Sequence, residues 1–191
     1  MKRKLSSITI PEQTDKVLLH SCCAPCSAAI VEKLLDIGIK PTIYYFNPNI
    51  YPIEEYLKRK DECKRFANLN NIDQFDADYN HNYWLEYIKG YENEHERGFR
   101  CLLCFKMRML HTANFALKNN FKVFATTLAS SRWKNLEQIN EAGIFAQEKT
   151  GVTFWANNWH KGGLQQRRNE LLKEYNFYNQ QYCGCEFSRR S

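Results

Sequence analysis

Seven of the eight cysteines fall into three tight clusters: Cys22, Cys23 and Cys26; Cys101 and Cys104; Cys183 and Cys185. A chain of 191 residues buries most of its apolar surface on folding and needs no covalent staples. The clusters therefore do not read as a disulfide scaffold. Met1-Lys2-Arg3-Lys4 leads into the polar Leu5-Ser6-Ser7 rather than an apolar run, so no secretory leader is expected. No stretch approaches the length needed to span a bilayer. The expectation is a cytoplasmic protein with no membrane partner, in which clustered thiols serve metal binding or redox chemistry. Cys63 stands alone on the apolar stripe of a helical segment, as a small core residue does.

Apolar runs alternate with helical periods along the chain. Lys16 to His20 reads as a short buried strand, and Pro25 suits the first turn of a helix in which Ile30, Val31, Leu34 and Leu35 share a face until Gly38. Further strands are expected at Thr42–Phe46, Ile72–Phe75, Phe121–Thr127 and Val152–Ala156. Helices are expected at Ile53–Asn70, Tyr83–Ile88, Cys101–Asn119, Asn135–Lys149 and Leu164–Tyr175. Strands spaced by helices predict an α/β fold: a single domain over 1–191 with a mostly parallel, Rossmann-like sheet and helices on both faces. Ligands of such sheets sit beyond the carboxyl ends of the strands, where the first cysteine cluster falls.

The clusters differ in chemistry. Cys101 and Cys104, at i and i+3, point both thiols to one side of a helix. With Cys22 and Cys23 they make a four-thiolate set drawn from two segments, which suits zinc or an iron-sulfur cluster; spacing does not choose between them. Cys183-Gly184-Cys185 has the spacing of a strained, reversible redox couple, with extra metal ligation as its alternative. Cys23-Ala24-Pro25-Cys26 also matches a helix-opening dithiol, yet a cluster-free dithiol oxidoreductase has no use for Cys22, Cys101 and Cys104.

Net charge is +6 and aromatic residues make up 14% of the chain, a balance that leans towards a polyanionic partner. Arg97, Arg100, Lys106, Arg108, Arg132, Lys134, Arg167, Arg168, Arg189 and Arg190 are available for phosphates, with Arg100, Arg132 and Lys134 favoured beside the cysteines. Tyr44, Tyr45, Phe46 and Trp133 are candidate ring faces for unstacked bases. On these features alone, a zinc-stabilised RNA-binding module without catalysis stays open.

The motifs LLHSCCAPCS (18–27), YFNPNIYPIEEYLKR (45–59), RCLLCFKMRM (100–109), TTLASSRWKN (126–135) and YNQQYCGCEFS (178–188), in this order, resemble the QueH-type epoxyqueuosine reductases. The resemblance implies the last step of queuosine biosynthesis: a two-electron removal of the epoxide oxygen from epoxyqueuosine at the wobble position of tRNA. It implies a 4Fe-4S cluster held by Cys22, Cys23, Cys101 and Cys104, and a redox-active, catalytic pair at Cys183 and Cys185. It also implies an additional mononuclear iron, for which Cys26 is the candidate ligand, and an electron donor that the sequence does not identify. Relatives are expected to carry an acid after the last strand, where this chain reads Asn157 and Asn158, with His160 as a substitute.

Overall fold

The computed structural model describes residues 8–188. Five strands, β1 (Lys16–His20), β2 (Lys40–Tyr45), β3 (Gln74–Asp76), β4 (Val123–Thr126) and β5 (Thr153–Phe154), form one parallel sheet in the order β3-β2-β1-β4-β5. Six helices connect and flank them: α1 (Ala24–Asp36), α2 (Ile53–Leu69), α3 (His81–Tyr87), α4 (Phe99–Lys118), α5 (Leu136–Thr150) and α6 (Leu164–Glu174). The α/β, Rossmann-like expectation agrees with this sheet. Among the described residues no helix is long and apolar enough to cross a membrane.

The sequence explains the central elements directly. Val17, Leu18 and Leu19 are fully buried, because a central parallel strand is covered on both faces and tolerates no polar alternation. Helix α1 starts where Cys23 takes an extended backbone as its N-cap and Pro25 enters the first turn, and it ends before Gly38 at φ +80°. Asn135 caps α5 by accepting from the amides of Glu137 and Gln138, and Gly151 closes that helix in the left-handed region. Right-handed crossovers carry α1 and α2 to one face and α4 and α5 to the other. Accordingly, α1 packs on α2 and α6, and α4 packs on α3 and α5.

Two expectations shift. Leu35 is 42% exposed while its neighbour Leu34 is fully buried, since it stands a third of a turn around the helix from the buried stripe. Strand β5 keeps only two of five expected residues, because as an edge strand it pairs with β4 alone and its ladder ends at Phe124–Phe154.

The sheet order reverses between β1 and β4, and the crevice beyond their carboxyl ends is where such sheets hold ligands. Cys22 and Cys23 follow β1, and Thr127 follows β4.

Candidate metal and sulfur centre

The two strand ends are tied to each other at this crevice. The Cys22 amide donates to Thr127 Oγ1 (3.2 Å), and the Thr127 hydroxyl donates to Cys22 Sγ (3.5 Å). Behind them the fully buried His20 ring bridges Thr126 Oγ1 (2.9 Å) and the Phe46 carbonyl (3.1 Å). Burial, then the nearby Arg108 charge, lower the His20 pKa to about 3, so the bridge is made by neutral imidazole. Asn47 Nδ2 donates to the Ser21 carbonyl (2.9 Å) and sets the turn that follows β1.

That turn gathers the sulfurs of Cys22, Cys23 and Cys26, which lie within 4.8 Å of one another and are all buried. Cys23 caps α1 and Cys26 sits in its first turn, where the positive end of the helix dipole favours thiolate. The negative charge settles on Cys22. Hydrogen bonds from Cys23, then from Cys26, hold its pKa well below the usual thiol value against burial, with help from Lys134 and Thr127. Burial pushes Cys23 up, and bonding to Cys22 keeps Cys26 protonated. The Cys22–Cys23 sulfur separation is 3.8 Å. Two thiolates on one tetrahedral ion at metal–sulfur bonds of about 2.3 Å stand about 3.8 Å apart.

Cys101 and Cys104 occupy the first turns of α4, which approaches from the other face of the sheet. Among the described residues the tight sulfur group includes Cys26 and neither of these two. The Arg97 amide donates to Cys101 Sγ (3.3 Å), and Arg108 reaches Cys104 Sγ at 4.0 Å. Burial raises the Cys101 pKa to about 11, opposed by the Arg97 N–H. Burial also raises Cys104, opposed by Arg108 and by the indole N–H of Trp84, which has no other partner among the described residues.

Cys183 and Cys185 come from the chain's last described segment. Cys183 lies close enough to Cys101 and Cys104 to push both thiols up, and burial followed by Cys104 pushes the Cys185 thiol up. Lys134 joins the sulfur groups. Burial pulls its pKa down, but its sulfur neighbours Cys183, Cys22 and Cys26 more than offset this and keep it raised. Lys134 thus neighbours the first and third clusters, and Cys183 in turn neighbours Cys101 and Cys104.

Two cations here, Arg108 and Lys134, lack a carboxylate partner among the described residues. Arg108 is 2% exposed, bonds to Asn47 Oδ1, and leaves its Nε without a partner among the described residues. A buried guanidinium with no counter-charge is costly, so the thiolates are its natural anion. Gln180 adds an N–H donor, at 2.9 Å from Cys23 Sγ and 3.8 Å from Cys26 Sγ. Sulfur ligands ringed by N–H donors and cations match the surroundings of an anionic metal–thiolate centre, and the residues present fit such a group.

Some expected nucleic-acid contacts are interior instead. Arg100 is buried, donates to the carbonyls of Tyr91, Glu92 and Glu94, and lies over the Phe187 ring. Tyr44, Tyr45 and Phe46 are buried core. Arg167 pairs with Glu32, Glu170 and Glu174, and Lys106 with Glu141. Arg168 donates to the Asn169 and Asn179 side chains on the surface. Arg189 and Arg190 lie outside the described residues. Trp133, in contrast, is 67% exposed. Asn158 and His160 line a recess of about 120 Å³ with Lys134, and the His160 ring meets the Ser130 carbonyl and Gln165 Oε1. Cys63 is fully buried against the Ser21 hydroxyl, as a core residue.

Two residues of the site carry no signal in sequence. Gln180 lies beside Gln181 with nothing to distinguish it. Arg59 reads as one cation of many on α2, yet it is 3% exposed and donates to the carbonyls of Tyr182 and Cys183.

Comparison with known proteins supplies the family. Residues 17–191 match the family model described as epoxyqueuosine reductase QueH. The chain is 48% identical over its whole length to the epoxyqueuosine reductase QueH of Acinetobacter baylyi, covering 88% of that protein. It is also 48% identical over 96% of its length to the protein of that name from Histophilus somni, covering 76% of it. Among solved structures, a predicted subunit of tRNA methyltransferase from Methanocaldococcus jannaschii superposes with a TM-score of 0.57 at 10% identity, over 87% of this chain and 93% of that one. At that identity the likeness concerns the fold. With a family match over nearly the entire chain and relatives at this identity, the chain belongs to the epoxyqueuosine reductase QueH family.

Proposed function

We propose that this chain is a one-domain iron-sulfur oxidoreductase that removes the epoxide oxygen of epoxyqueuosine in the anticodon of tRNA, giving queuosine and water. The observation that carries the reading is the crevice at the sheet's switch point, where three cysteine clusters border two cations that have no carboxylate partner among the described residues. In this reading Cys22, Cys23, Cys101 and Cys104 hold a 4Fe-4S cluster, and Cys26 faces an additional iron. The bound metals supply Lewis acidity and single-electron transfer beside the substrate.

The chain's own groups do the rest. Cys183 and Cys185 pass from dithiol to disulfide, releasing the two electrons and two protons that convert epoxide to alkene and water. Lys134 holds a proton beside Cys22, Cys26 and Cys183, within the space where oxygen leaves. Arg108 balances the sulfur charge from below. An external electron donor returns the disulfide to dithiol.

The test uses protein reconstituted with iron and sulfide under anaerobic conditions, then given epoxyqueuosine-containing tRNA and a chemical reductant. A brown protein that yields queuosine, detected by mass spectrometry of the digested tRNA, supports the reading. Cys22→Ser and Cys104→Ser are expected to lose the visible chromophore and the activity together. Cys183→Ser is expected to keep the chromophore and lose turnover by at least about a hundredfold. A colourless, zinc-loaded protein without turnover overturns the reading in favour of an RNA-binding module; turnover without a chromophore overturns it in favour of a dithiol enzyme.

A further inference from the structure

We propose that Trp133 and Arg132 form the platform on which a nucleobase of single-stranded RNA stacks, next to the base that enters the cysteine crevice; this rests on reading the chain as a tRNA reductase. Of the four tryptophans, Trp84, Trp155 and Trp159 are at most 5% exposed, whereas Trp133 is 67% exposed. An indole left in water forgoes the stabilisation of burial. The Arg132 guanidinium lies 4.7 Å from the ring centroid, so a planar cation is already seated against it. Aromatic rings and arginine planes are the surfaces on which unpaired bases stack.

The platform is held in place and aimed. Arg97, with its backbone in the left-handed region at φ 70°, donates from Nε to the Trp133 carbonyl (2.8 Å) and from Nη2 to the Arg132 carbonyl (3.3 Å). Gln138 secures Arg97 in turn by donating to its carbonyl (2.9 Å). The amide of the same Arg97 donates to Cys101 Sγ (3.3 Å), so one residue ties the ring to the sulfur centre. The next residue, Lys134, turns the other way and borders the crevice with Cys22, Cys26 and Cys183.

Charge favours RNA over an apolar or basic partner. Around this mouth Arg100 and Arg108 are buried and Lys106 is paired with Glu141. Arg132 has no carboxylate partner among the described residues, and Glu94 at the α4 entry accepts from the Phe99 amide (3.1 Å). A free guanidinium over a free indole, opening on a crevice that takes one modified base, fits the nucleotide beside that base in an anticodon loop.

The experiment titrates anaerobically reconstituted protein with an anticodon stem-loop carrying unmodified guanosine at the wobble position, following intrinsic tryptophan fluorescence and anisotropy of labelled RNA. Wild type is expected to show quenching on binding. Trp133→Leu is expected to lose the quench and bind about tenfold or more weakly, with the slope of log K against log salt unchanged, while Trp133→Phe retains most of the affinity. The visible spectrum of both variants, and RNA binding by Leu117→Ala at the far end of α4, are expected to match wild type. Trp133→Leu that binds within about twofold of wild type with the quench intact overturns the platform. Loss of reduction with unaltered RNA affinity overturns it too, and assigns this face to the protein that delivers electrons. Wild type that binds no stem-loop overturns both platform and function, whereas wild type that binds but never reduces epoxyqueuosine RNA overturns the function and leaves the platform standing.

Discussion

The Cys22–Cys26 turn and the Cys183–Cys185 tail both bring thiols to the crevice, but different structure supports each. The turn joins β1 to α1, and its backbone is held by short-range bonds and by adjoining strand ends, while Gln180 adds a donor to the sulfurs of Cys23 and Cys26. Ser27 Oγ donates to the Cys23 carbonyl (2.9 Å), the Ser21 and Ser27 hydroxyls share a bond of 2.6 Å, and Asn47 holds Ser21. The tail belongs to no sheet. It is held by Arg59 on the Tyr182 and Cys183 carbonyls (3.2 Å each), by the Tyr51 amide on the Gly184 carbonyl (2.8 Å), and by His81 on Glu186 (2.8 Å). The turn moves only if the sheet moves; the tail depends on a few side chains. A metal site gains from rigid ligands, whereas a dithiol that closes to a disulfide must bring its sulfurs to about 2 Å and reopen.

Arg59→Met is expected to have the largest effect on this contrast. It leaves Glu55, its 2.7 Å partner, half-buried with the Tyr178 hydroxyl as a donor but no counter-charge and frees two tail carbonyls, at a cost of about 3 kcal/mol in urea denaturation. Thiol labelling of Cys183 and Cys185 should accelerate while that of Cys22 stays slow; equal acceleration at both clusters breaks the comparison.

Gly184→Ala follows. Gly184 sits at φ 112°, and an added Cβ falls 2.9 Å from Ile50 Cγ1 and 3.1 Å from Arg59 Nη1. The strain should cost about 2 kcal/mol and again loosen only the tail, read by the same labelling.

Ser27→Ala works on the other support. It removes the donor to the Cys23 carbonyl and the partner of Ser21, for about 1 kcal/mol. Metal loading of the Cys22 cluster should weaken with no change in tail labelling.

The smallest effect concerns pH. His111 stacks on Phe46 at 3.7 Å and meets the Tyr44 hydroxyl at 2.7 Å, and burial, then Lys118, holds its pKa below 6.5. The unfolded chain therefore takes up this proton first, so the contribution is present above 6.5 and is lost as pH falls through the lowered native value. A proton NMR titration should place the His111 midpoint below 6.5, and His111→Gln should flatten that part of the stability profile.

Much of the fold was legible. The buried run Val17–Leu19, the Pro25 start of α1 and the helical period of α4 each depend on neighbours within a turn or two, where local chemistry decides. The site was legible as a set of thiols, less so as an arrangement. Cys26 joins Cys22 and Cys23 more tightly than Cys101 or Cys104 does, because all three share one turn while α4 comes from across the sheet. Arg100 and Arg132 are alike as letters beside motifs, yet one is sealed under Phe187 and the other lies open on Trp133. Gln180 had no local pattern, since its partners lie more than 150 residues away in the chain.

By itself the sequence determined the alternation of strand and helix, the placing of thiols at strand and helix ends, and the family. Those follow from periodicity and from side-chain chemistry, which are written residue by residue. Only the tertiary structure decided which sulfurs meet, which cations face them without a carboxylate, and which tryptophan stays in water. Each of these depends on the packing that brings α4 and the tail to the carboxyl ends of β1 and β4, and distance in space between remote segments has no local trace in the chain.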